Sequence, residues 1–414
     1  MSHGSLARRL GLADAVAVGL GSMIGAGVFS AFAPAAAAAG SGLLIGLAIA
    51  AAVAFANATS SAQLAAVHPV SGGTYAYGRA ELGPWWGFAA GWSFVVGKLA
   101  STAAMAMTFA AYVAPAAWQR PLAALAVLAL AAVNAFGVTR TAQATKVIVA
   151  VVLASLVVVV VAGTSAPPVL GDIAPPSGGP YGTLQAAGIL FFAFAGYARI
   201  ATMGEEVRDP ARTIPRAIVL ALCGAVALYA VLAVVTLVVL GPERLASSAA
   251  PLADVVAAAG WDAAQPVVRI GAAAASLGAL LALLAGIGRT SLAMAREGDL
   301  PRFLGAVDAR FQVPRRAEVA VAVIAAAAVL VADLRGVIGF SSFGVLLYYL
   351  VANLAALRQT GAARRYPRAL QAFGVVGCLV LAVTLPWQSV VVGAVVVAAG
   401  VAGRALRLRL SRAA

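Results

Sequence analysis

The sequence predicts an all-helical polytopic membrane protein with about twelve transmembrane helices. Its composition is the first reason: 63% of the 414 residues are hydrophobic, 10% are charged, and the mean hydropathy is +0.99. These values exclude a water-soluble domain of ordinary composition. The second reason is the repeated occurrence of apolar runs that are each long enough to cross a bilayer. No connection between the runs is long enough for a soluble domain, so residues 1–414 are expected to form one transmembrane domain.

Pro, Gly and charge clusters divide the apolar sequence into predicted spans. The spans run near 12–34, 41–67, 84–113, 118–136, 141–163, 182–203, 214–240, 265–292, 317–333, 336–358, 368–386 and 387–404. With these bounds, 22 of the 28 Lys and Arg residues fall on the side of the N-terminus and four on the other, while Lys98 and Arg199 lie inside spans. The positive-inside rule then predicts cytoplasmic termini, for a protein of the cell (plasma) membrane.

The first span contains four glycines within GLGSMIGAGVFS, from Gly19 to Ser30. Each glycine weakens helical preference by about 1 kcal/mol relative to alanine, so we expect the helix to break here. A break inside a membrane is tolerated only where it is buried in protein or lines a wet cavity. The freed N–H groups of Gly25, Ala26 and Gly27 would begin a second half-helix, whose positive end favours a carboxylate.

The sixth span has a similar interruption at Gly196, within GILFFAFAGYARI. A half-helix that ends near Phe194 leaves backbone carbonyls unpaired, and carbonyl oxygens attract an ammonium group. The two breaks thus offer N–H groups for a carboxylate and carbonyls for an amino group, the two groups that α-amino acids share. Glycine-interrupted spans at corresponding positions of two halves are typical of a transporter's substrate site.

Four motifs in the chain resemble those of the amino acid/polyamine/organocation (APC) superfamily of transporters. They are GSMIGAGVF at 21–29, PVSGGTYAY at 69–77, FFAFAGY at 191–197 followed by EEVRDPARTIPRAI at 205–218, and SLAMAREGDLPRF at 291–303. The resemblance implies alternating access in a five-plus-five inverted repeat, 1–163 against 182–358, with two extra helices at 368–404. The acidic and basic residues of the motif at 205–218 are expected to form a salt-bridge network around a moving hinge.

The family pattern also implies roles for individual residues. Gly25, Ala26 and Gly27, together with Met23, would receive the substrate carboxylate. The backbone carbonyls of the sixth span would receive its amino group, with Gly196 providing the break. The carbonyls concerned are those of Phe192, Ala193 and Ala195. The Phe192 ring would lie over the substrate as a gate, although plain packing of this ring is the alternative.

Lys98 lies 14 residues into the third span, about 20 Å along a helix and so near the midplane. Acidic residues occur only at span ends or in connections, so no carboxylate partner is evident. Burial favours the neutral amine, which would let Lys98 exchange protons near neutral pH. Lys98 shares a helix face with Thr102 and Met105, and we expect it to couple transport to protons or else to have a structural hydrogen-bonding role.

Arg199 departs from the family pattern, because it follows Ala198, which stands where many members carry an acidic residue. On a continuous helix it would share a stripe with Phe192, Gly196 and Met203. This stripe is expected to line the pathway; the alternative is that Arg199 extends toward the cytoplasmic surface.

Other functions are not supported by the sequence. No cluster of His or Cys suggests a metal, no cofactor motif or catalytic cluster indicates an enzyme, and the arginines lie between apolar runs rather than in a nucleic-acid patch. Sodium-using relatives bind the ion with hydroxyls of the eighth span, but residues 277–288 contain no Ser, Thr, Asn or carboxylate. Sodium coupling is therefore less expected than proton coupling.

The sequence thus predicts a secondary active transporter, a symporter or an antiporter, for neutral L-amino acids by proton coupling or exchange. Two buried cationic side chains and no buried acid argue against cationic substrates. The alternatives are a cationic amino acid or polyamine antiporter, an amino acid exporter, and, in a different class, a transport-dead sensor or partner subunit. The oligomeric state and the particular amino acid stay open.

Overall fold

The computed structural model describes residues 10–68, 72–136, 142–169, 177–201, 203, 207–308, 310–311 and 313–413. Within these residues the chain is helical apart from its connections, and the only β-type pairing is an isolated parallel bridge between Leu10 and Val207. The bridge includes a hydrogen bond from the Arg208 N–H to the Leu10 carbonyl (2.9 Å). It joins the start of the first helix to the connection that follows the sixth predicted span.

The α-helices of the described residues are numbered in chain order. They are α1 (Leu12–Met23), α2 (Gly27–Ser30), α3 (Phe32–Ala39), α4 (Leu43–Val67), α5 (Gly73–Leu82), α6 (Pro84–Val113), α7 (Ala116–Ala135), α8 (Ala142–Ser165), α9 (Gly179–Phe194), α10 (Ala198–Ala201), α11 (Pro210–Ser247), α12 (Pro251–Ala258), α13 (Gln265–Arg296), α14 (Arg315–Val331), α15 (Leu334–Arg358), α16 (Arg368–Thr384) and α17 (Trp387–Ala413).

Nine helical stretches among the described residues are long and apolar enough to cross a membrane. They are Leu12–Ser30, Phe32–Val67, Pro84–Val113, Ala116–Ala135, Gln143–Ser165, Pro210–Ser247, Asp262–Arg296, Leu334–Arg358 and Trp387–Leu410. The predicted class, an all-helical multi-pass membrane protein, is thereby confirmed. The other predicted spans coincide with α9, α14 and α16, which are 16, 17 and 17 residues long.

Several predicted bounds differ from the structure, among them the ends of the first and last spans. The first span was expected to end at 34, but α3 continues through an alanine run to Ala39 and stops where Gly40 adopts φ 57°. The last span was expected to end at 404, but α17 continues to Ala413. Leucines alternate with arginines beyond Arg404, and such a sequence remains helical after the apolar run has ended.

Both predicted helix interruptions are present. The helix α1 ends at Met23 and α2 begins at Gly27, so Ile24–Ala26 are not helical. The helix α9 ends at Phe194, a 3-10 turn covers Ala195–Tyr197, and α10 follows at Ala198. Each interruption lies within a glycine-containing stretch, as expected from the low helical preference of glycine.

Small residues allow the helices to pack closely. The helix α6 packs against α13 and α15, while α4 packs against α9, α11 and α15. A Cβ added to Gly97 on α6 would lie 3.1 Å from the Cα of Gly344 on α15, so these two helices approach at backbone distance. In a bilayer such close approach replaces much of the hydrophobic driving force.

A buried polar network joins α4, α15 and α16. The Asn353 side chain accepts a hydrogen bond from the Ser60 hydroxyl (2.7 Å) and donates to the Asn57 side chain (2.6 Å). The Cys378 thiol donates to the same Asn57 oxygen at 3.3 Å. Asn353 also donates to the Tyr349 carbonyl (2.9 Å), which links the network to a residue that contacts the second helix break. Interhelical hydrogen bonds of this kind contribute about 1 kcal/mol each.

Candidate functional site

The two helix breaks lie against each other. A Cβ added to Gly27 would lie 2.7 Å from the Cα of Ala193, so the start of α2 touches the end of α9. In the reverse direction, a Cβ on Gly196 would collide with the carbonyl oxygen of Ser22. The glycine of each break therefore packs on the backbone of the other, a proximity that the sequence predicts only if both breaks serve one site.

The first break presents backbone N–H groups inside the protein. In the described part of the chain, the N–H groups of Gly25 and Ala26 form no backbone hydrogen bond, and that of Gly27 is the first of α2. Gly25, Ala26 and Gly27 are all buried. Because a buried N–H without a partner is costly, these groups form a place where an anionic or carbonyl oxygen would bind favourably.

The second break presents carbonyl groups, and in this structure each of them has a partner from the protein. The Phe192 carbonyl accepts from the Ala195 N–H within the turn. The Ala193 carbonyl accepts from the Tyr229 hydroxyl at 3.1 Å. The Ala195 carbonyl accepts from the Lys98 amine at 3.3 Å and from the Tyr349 hydroxyl at 3.4 Å. A carbonyl oxygen has two lone pairs, so further acceptance remains available at Phe192 and Ala193.

Tyr229, on α11, bridges the two breaks. Its buried hydroxyl lies 2.6 Å from the Met23 carbonyl at the end of α1 and 3.1 Å from the Ala193 carbonyl. Sequence reasoning missed this residue and Tyr349. The sequence feature that could have identified them is a tyrosine within an apolar span, since the hydroxyl needs a hydrogen-bond partner when it is buried.

Lys98 reaches the second break from α6. Its side chain is buried, with 7% of the residue exposed, and the Ala195 carbonyl is its hydrogen-bond partner. Among the described residues, no carboxylate forms an ion pair with Lys98. Met105, two turns further along α6, lies beside Gly25: a Cβ there would be 3.7 Å from the methionine sulfur. One face of α6 therefore contacts both breaks.

Lys146, which is the other lysine of the chain, has a different environment. Its amine pairs with the Asp14 carboxylate at 2.6 Å, and 52% of its side chain is exposed. This ion pair joins the start of α8 to the first turn of α1. Lys98 alone of the two lysines is buried at the site.

The stripe expected for Arg199 is not continuous. Phe192 belongs to α9, Gly196 to the 3-10 turn and Arg199 to the four-residue α10, so the helical spacing assumed from the sequence is interrupted at the turn. Phe192 is buried, whereas Arg199 is only partly buried. The expectation of two buried cations is thus correct for Lys98 and wrong for Arg199. Glu205 and Glu206 lie outside the described residues.

The expectation of no buried acid is also wrong, because Glu318 and Asp299 are buried. The Asp299 carboxylate accepts from Tyr75 at 2.9 Å and pairs with Arg79 and Arg404 at 3.1 and 3.0 Å. Burial and the neighbouring Asp299 charge raise the pKa of Tyr75 well above its usual range, so the phenol remains a donor. No hydrogen bond or ion pair of the described structure joins either acid to the breaks. Their burial was not predictable from the sequence, because it depends on which helices pack together at the membrane interface.

Two membrane helices whose interruptions pack against each other are typical of membrane transport proteins. The family follows from comparison with models of known families: that of the amino acid permeases matches residues 14–403. The chain therefore belongs to the amino acid permease family, as its motifs indicated. Membership indicates a transporter of amino acids in a membrane, not an enzyme.

Individual relatives support the same class. The chain is 57% identical over 412 residues to a protein named uncharacterized transporter from Mycobacterium tuberculosis (strain H37Rv), covering 99% of this chain and 93% of the relative. It is 29% identical over 228 residues to the vacuolar cationic amino acid transporter 4 of Arabidopsis thaliana, covering 54% of this chain and 38% of the relative. The vacuolar cationic amino acid transporter 2 of the same plant is 32% identical over 176 residues, 42% of this chain and 28% of the relative.

Proposed function

We propose that the protein is a secondary active transporter of neutral L-amino acids that works by alternating access, with the substrate held between the two breaks. The observation that carries this proposal is their reciprocal contact. The contact supports one shared site, in which the buried N–H groups of Gly25 and Ala26 would bind the carboxylate and the carbonyls of Phe192, Ala193 and Ala195 would bind the amino group. An α-amino acid carries one group for each side, and the start of α2 adds the positive end of a half-helix beside the carboxylate.

The positive charge of Lys98 favours a substrate with an uncharged side chain. Lys98 lies at the carbonyl side of the site, and no carboxylate of the described residues lies against it. A second positive charge on the substrate would be repelled by protonated Lys98, and beside neutral Lys98 it would still be buried without a carboxylate partner from the described residues. The buried acids do not alter this argument, since Asp299 is neutralised by two arginines and Glu318 lies near Arg289 at the ends of α13 and α14.

The architecture that we propose has twelve spans, five-plus-five inverted repeats and two extra helices. Nine described stretches meet the length and hydropathy of a span, and α9, α14 and α16 would supply the other three crossings. The segment Phe32–Val67 is divided at Gly40 into α3 and α4, so that the break in α1–α3 corresponds to that in α9–α10. With this topology both termini are cytoplasmic, in the cell (plasma) membrane.

Protons or exchange would drive transport, and Lys98 is the residue we propose for coupling. It is a buried amine that touches the second break, and it can change charge near neutral pH more readily than the tyrosines beside it. Sodium is disfavoured, because the small cavity between α1, α8 and α13 has apolar side chains or glycine around it. Its lining is Gly21, Ile24, Ile148, Val149, Val152 and Ala275. Hard cations need several oxygen ligands.

The names of the two Arabidopsis relatives favour a second candidate, transport of cationic amino acids. Those similarities cover about half of this chain at most, and Lys98 argues against a cationic side chain near the carbonyls. A cationic substrate is compatible with the site only if its side chain extends away from Lys98.

Thermal stabilisation of the purified full-length protein tests both candidates. The probes are the twenty amino acids and several polyamines, each with and without sodium, and counterflow uptake in proteoliposomes follows for any probe that binds. A ligand at 100 times its Kd stabilises the folded state by about 2.7 kcal/mol. We expect stabilisation by neutral amino acids that is indifferent to sodium. Stabilisation by arginine or a polyamine alone would contradict the neutral substrate, and binding without any counterflow would indicate a transport-dead sensor.

A further inference from the structure

The amine of Lys98 lies where the substrate's amino group is expected. It is 3.3 Å from the Ala195 carbonyl, one of the three carbonyls assigned to that group, and it reaches this oxygen from a buried position on α6. The Tyr349 hydroxyl contacts the same oxygen at 3.4 Å. The Ala195 carbonyl therefore has two protein donors, and an incoming ammonium must share or replace them.

Charged groups near Lys98 must be considered on every packed element, because any of them could change its protonation. The titratable or charged residues whose side chains the structure describes, on helices that pack against α6, are Tyr75, Tyr77, Arg79 and Glu81 on α5, Arg120 on α7, Arg269, Arg289 and Arg296 on α13, Arg315, Arg316 and Glu318 on α14, Arg335, Tyr348, Tyr349 and Arg358 on α15, and Arg404, Arg407 and Arg409 on α17. On the break itself Arg199 and Tyr197 follow Ala195.

The acids in this set interact elsewhere. Glu81 contacts His68 at 2.8 Å, and Glu318 interacts electrostatically with Arg289. The Tyr349 hydroxyl shares the Ala195 carbonyl with the Lys98 amine, and the Tyr197 ring stacks on the Tyr349 ring. No described carboxylate therefore balances a protonated Lys98, and a substrate ammonium at the same carbonyl would face it without a compensating charge.

We propose that Lys98 competes with the substrate's amino group for the Ala195 carbonyl, so that protonated Lys98 and a bound amino acid exclude each other. This inference rests on the proposed function. When the substrate binds, the Nζ proton of Lys98 passes to water on the side that is open, and the neutral amine leaves the carbonyl to the ammonium. When the substrate departs, Lys98 takes up a proton and returns to Ala195.

The mutual exclusion of proton and substrate determines the direction in which the proton moves relative to the amino acid. Because each binding event releases a proton and each departure binds one, substrate and proton occupy the carrier alternately. The protein then exchanges an amino acid for a proton moving in the opposite direction. A site in which proton and substrate bind together would instead give symport. The linkage is reciprocal, so protonation weakens substrate binding by the same factor by which substrate weakens protonation.

Equilibrium binding to the purified full-length protein tests the competition. The probes are L-alanine, L-leucine and L-phenylalanine, each beside its deaminated carboxylic acid, at about pH 5.5 and about pH 8.5. The variants are Lys98→Met, which removes the charge at similar volume, and Lys98→Arg, which keeps it at both pH values. The matched control is Lys146→Met, since Lys146 is the other lysine and pairs with Asp14 away from the breaks.

We expect wild-type affinity for the amino acids to be at least about tenfold weaker at the lower pH, with proton release on binding in weak buffer. The Lys98→Met variant should bind at the lower pH at least as tightly as wild type binds at the higher pH, without proton release. The Lys98→Arg variant should be folded, as shown by a cooperative thermal unfolding transition, but should bind amino acids at neither pH. The Lys146→Met variant should bind as wild type does. The deaminated acids lack the competing group and should not bind more weakly at the lower pH.

Several results would overturn the competition. These are wild-type binding that is unchanged or tighter at the lower pH, proton uptake on binding, or loss of binding in Lys98→Met at both pH values. In those cases amino acids still bind and the proposed function stands. If no probe binds wild type or Lys98→Met at either pH, the neutral-substrate proposal fails first and the competition fails with it.

Discussion

The hydroxyl of Tyr229 contacts both helix breaks. It has one proton to share between the Met23 carbonyl at 2.6 Å and the Ala193 carbonyl at 3.1 Å. The shorter distance indicates that Met23 is the main acceptor, which satisfies a carbonyl at the end of α1 that lacks a helical partner. Tyr229 is thus a positioning residue: it fixes the relation between the two sides of the proposed substrate site.

Replacing Tyr229 with Phe should both destabilise the protein and weaken substrate binding. Loss of a buried hydrogen bond costs about 1 kcal/mol, and the backbone carbonyl of Met23 loses its partner. Thermal unfolding and substrate affinity would be measured. The matched control is Tyr112→Phe, since the Tyr112 hydroxyl also donates to a carbonyl of the first segment, that of Phe29 at 3.0 Å, beyond the break. If both variants lose stability equally and neither loses affinity, Tyr229 has only a structural role.

Single residues were predictable to different degrees. Lys98 was identified because a lysine inside an apolar span is costly, and this cost is visible in the sequence. Its partner was not predictable, since the Ala195 carbonyl carries no side-chain signature and lies 97 residues away. Arg199 was placed on a continuous helix because the sequence does not show that a 3-10 turn changes the periodicity at Ala195–Tyr197.

At the scale of helices, hydrophobic runs were a good guide. The third predicted span, 84–113, coincides with α6, and the interruptions of the first and sixth spans fall within the predicted glycine stretches. Length and hydropathy are properties of one helix at a time. They therefore predict which residues form the helix but not which other helices it contacts. The contact between Gly27 and Ala193 depends on the arrangement of α1–α3 against α9, which only the folded chain shows.

A methyl group at Gly27 should separate the two breaks. A Cβ there would lie 2.7 Å from a backbone atom of Ala193, and a backbone cannot rotate away as a side chain does. Overpacking of this kind costs about 1–3 kcal/mol. We therefore expect Gly27→Ala to lower the melting temperature and abolish substrate binding.

Gly286→Ala is the control for this substitution, because nothing lies within 4 Å of a Cβ at Gly286 on α13. There the added methyl should leave binding intact and raise helical stability by up to about 1 kcal/mol. Normal binding by Gly27→Ala would show that the breaks separate freely and would remove the main support for a shared site.

For the whole molecule, the distribution of Lys and Arg residues predicts the orientation of the chain in the membrane. The predicted connections put 22 of the 28 Lys and Arg residues on one side. Asp308 belongs to that side, and Asp262 to the other, between α12 and α13. In the folded chain, the Asp299 carboxylate joins Arg79 on α5 to Arg404 on α17, so these three residues lie on the same side of the molecule.

Cysteine labelling would measure this orientation. Cys223 and Cys378 are replaced by Ser, and single cysteines are introduced as Asp262→Cys and Asp308→Cys. A membrane-impermeant maleimide should label position 262 in intact cells and position 308 only in inverted membranes. The reverse pattern would place the termini outside, and labelling of both positions from one side would contradict the number of crossings between them.

The reciprocal packing of the two breaks also has a kinematic consequence. Gly27 rests on Ala193 while Gly196 rests on Ser22, so two contacts in opposite senses connect the same pair of segments. Sliding in either direction would drive one backbone into the other, whereas rotation about the line through both contacts leaves them intact. A motion that keeps both contacts would therefore move the half-helices on either side of the breaks together, as one unit.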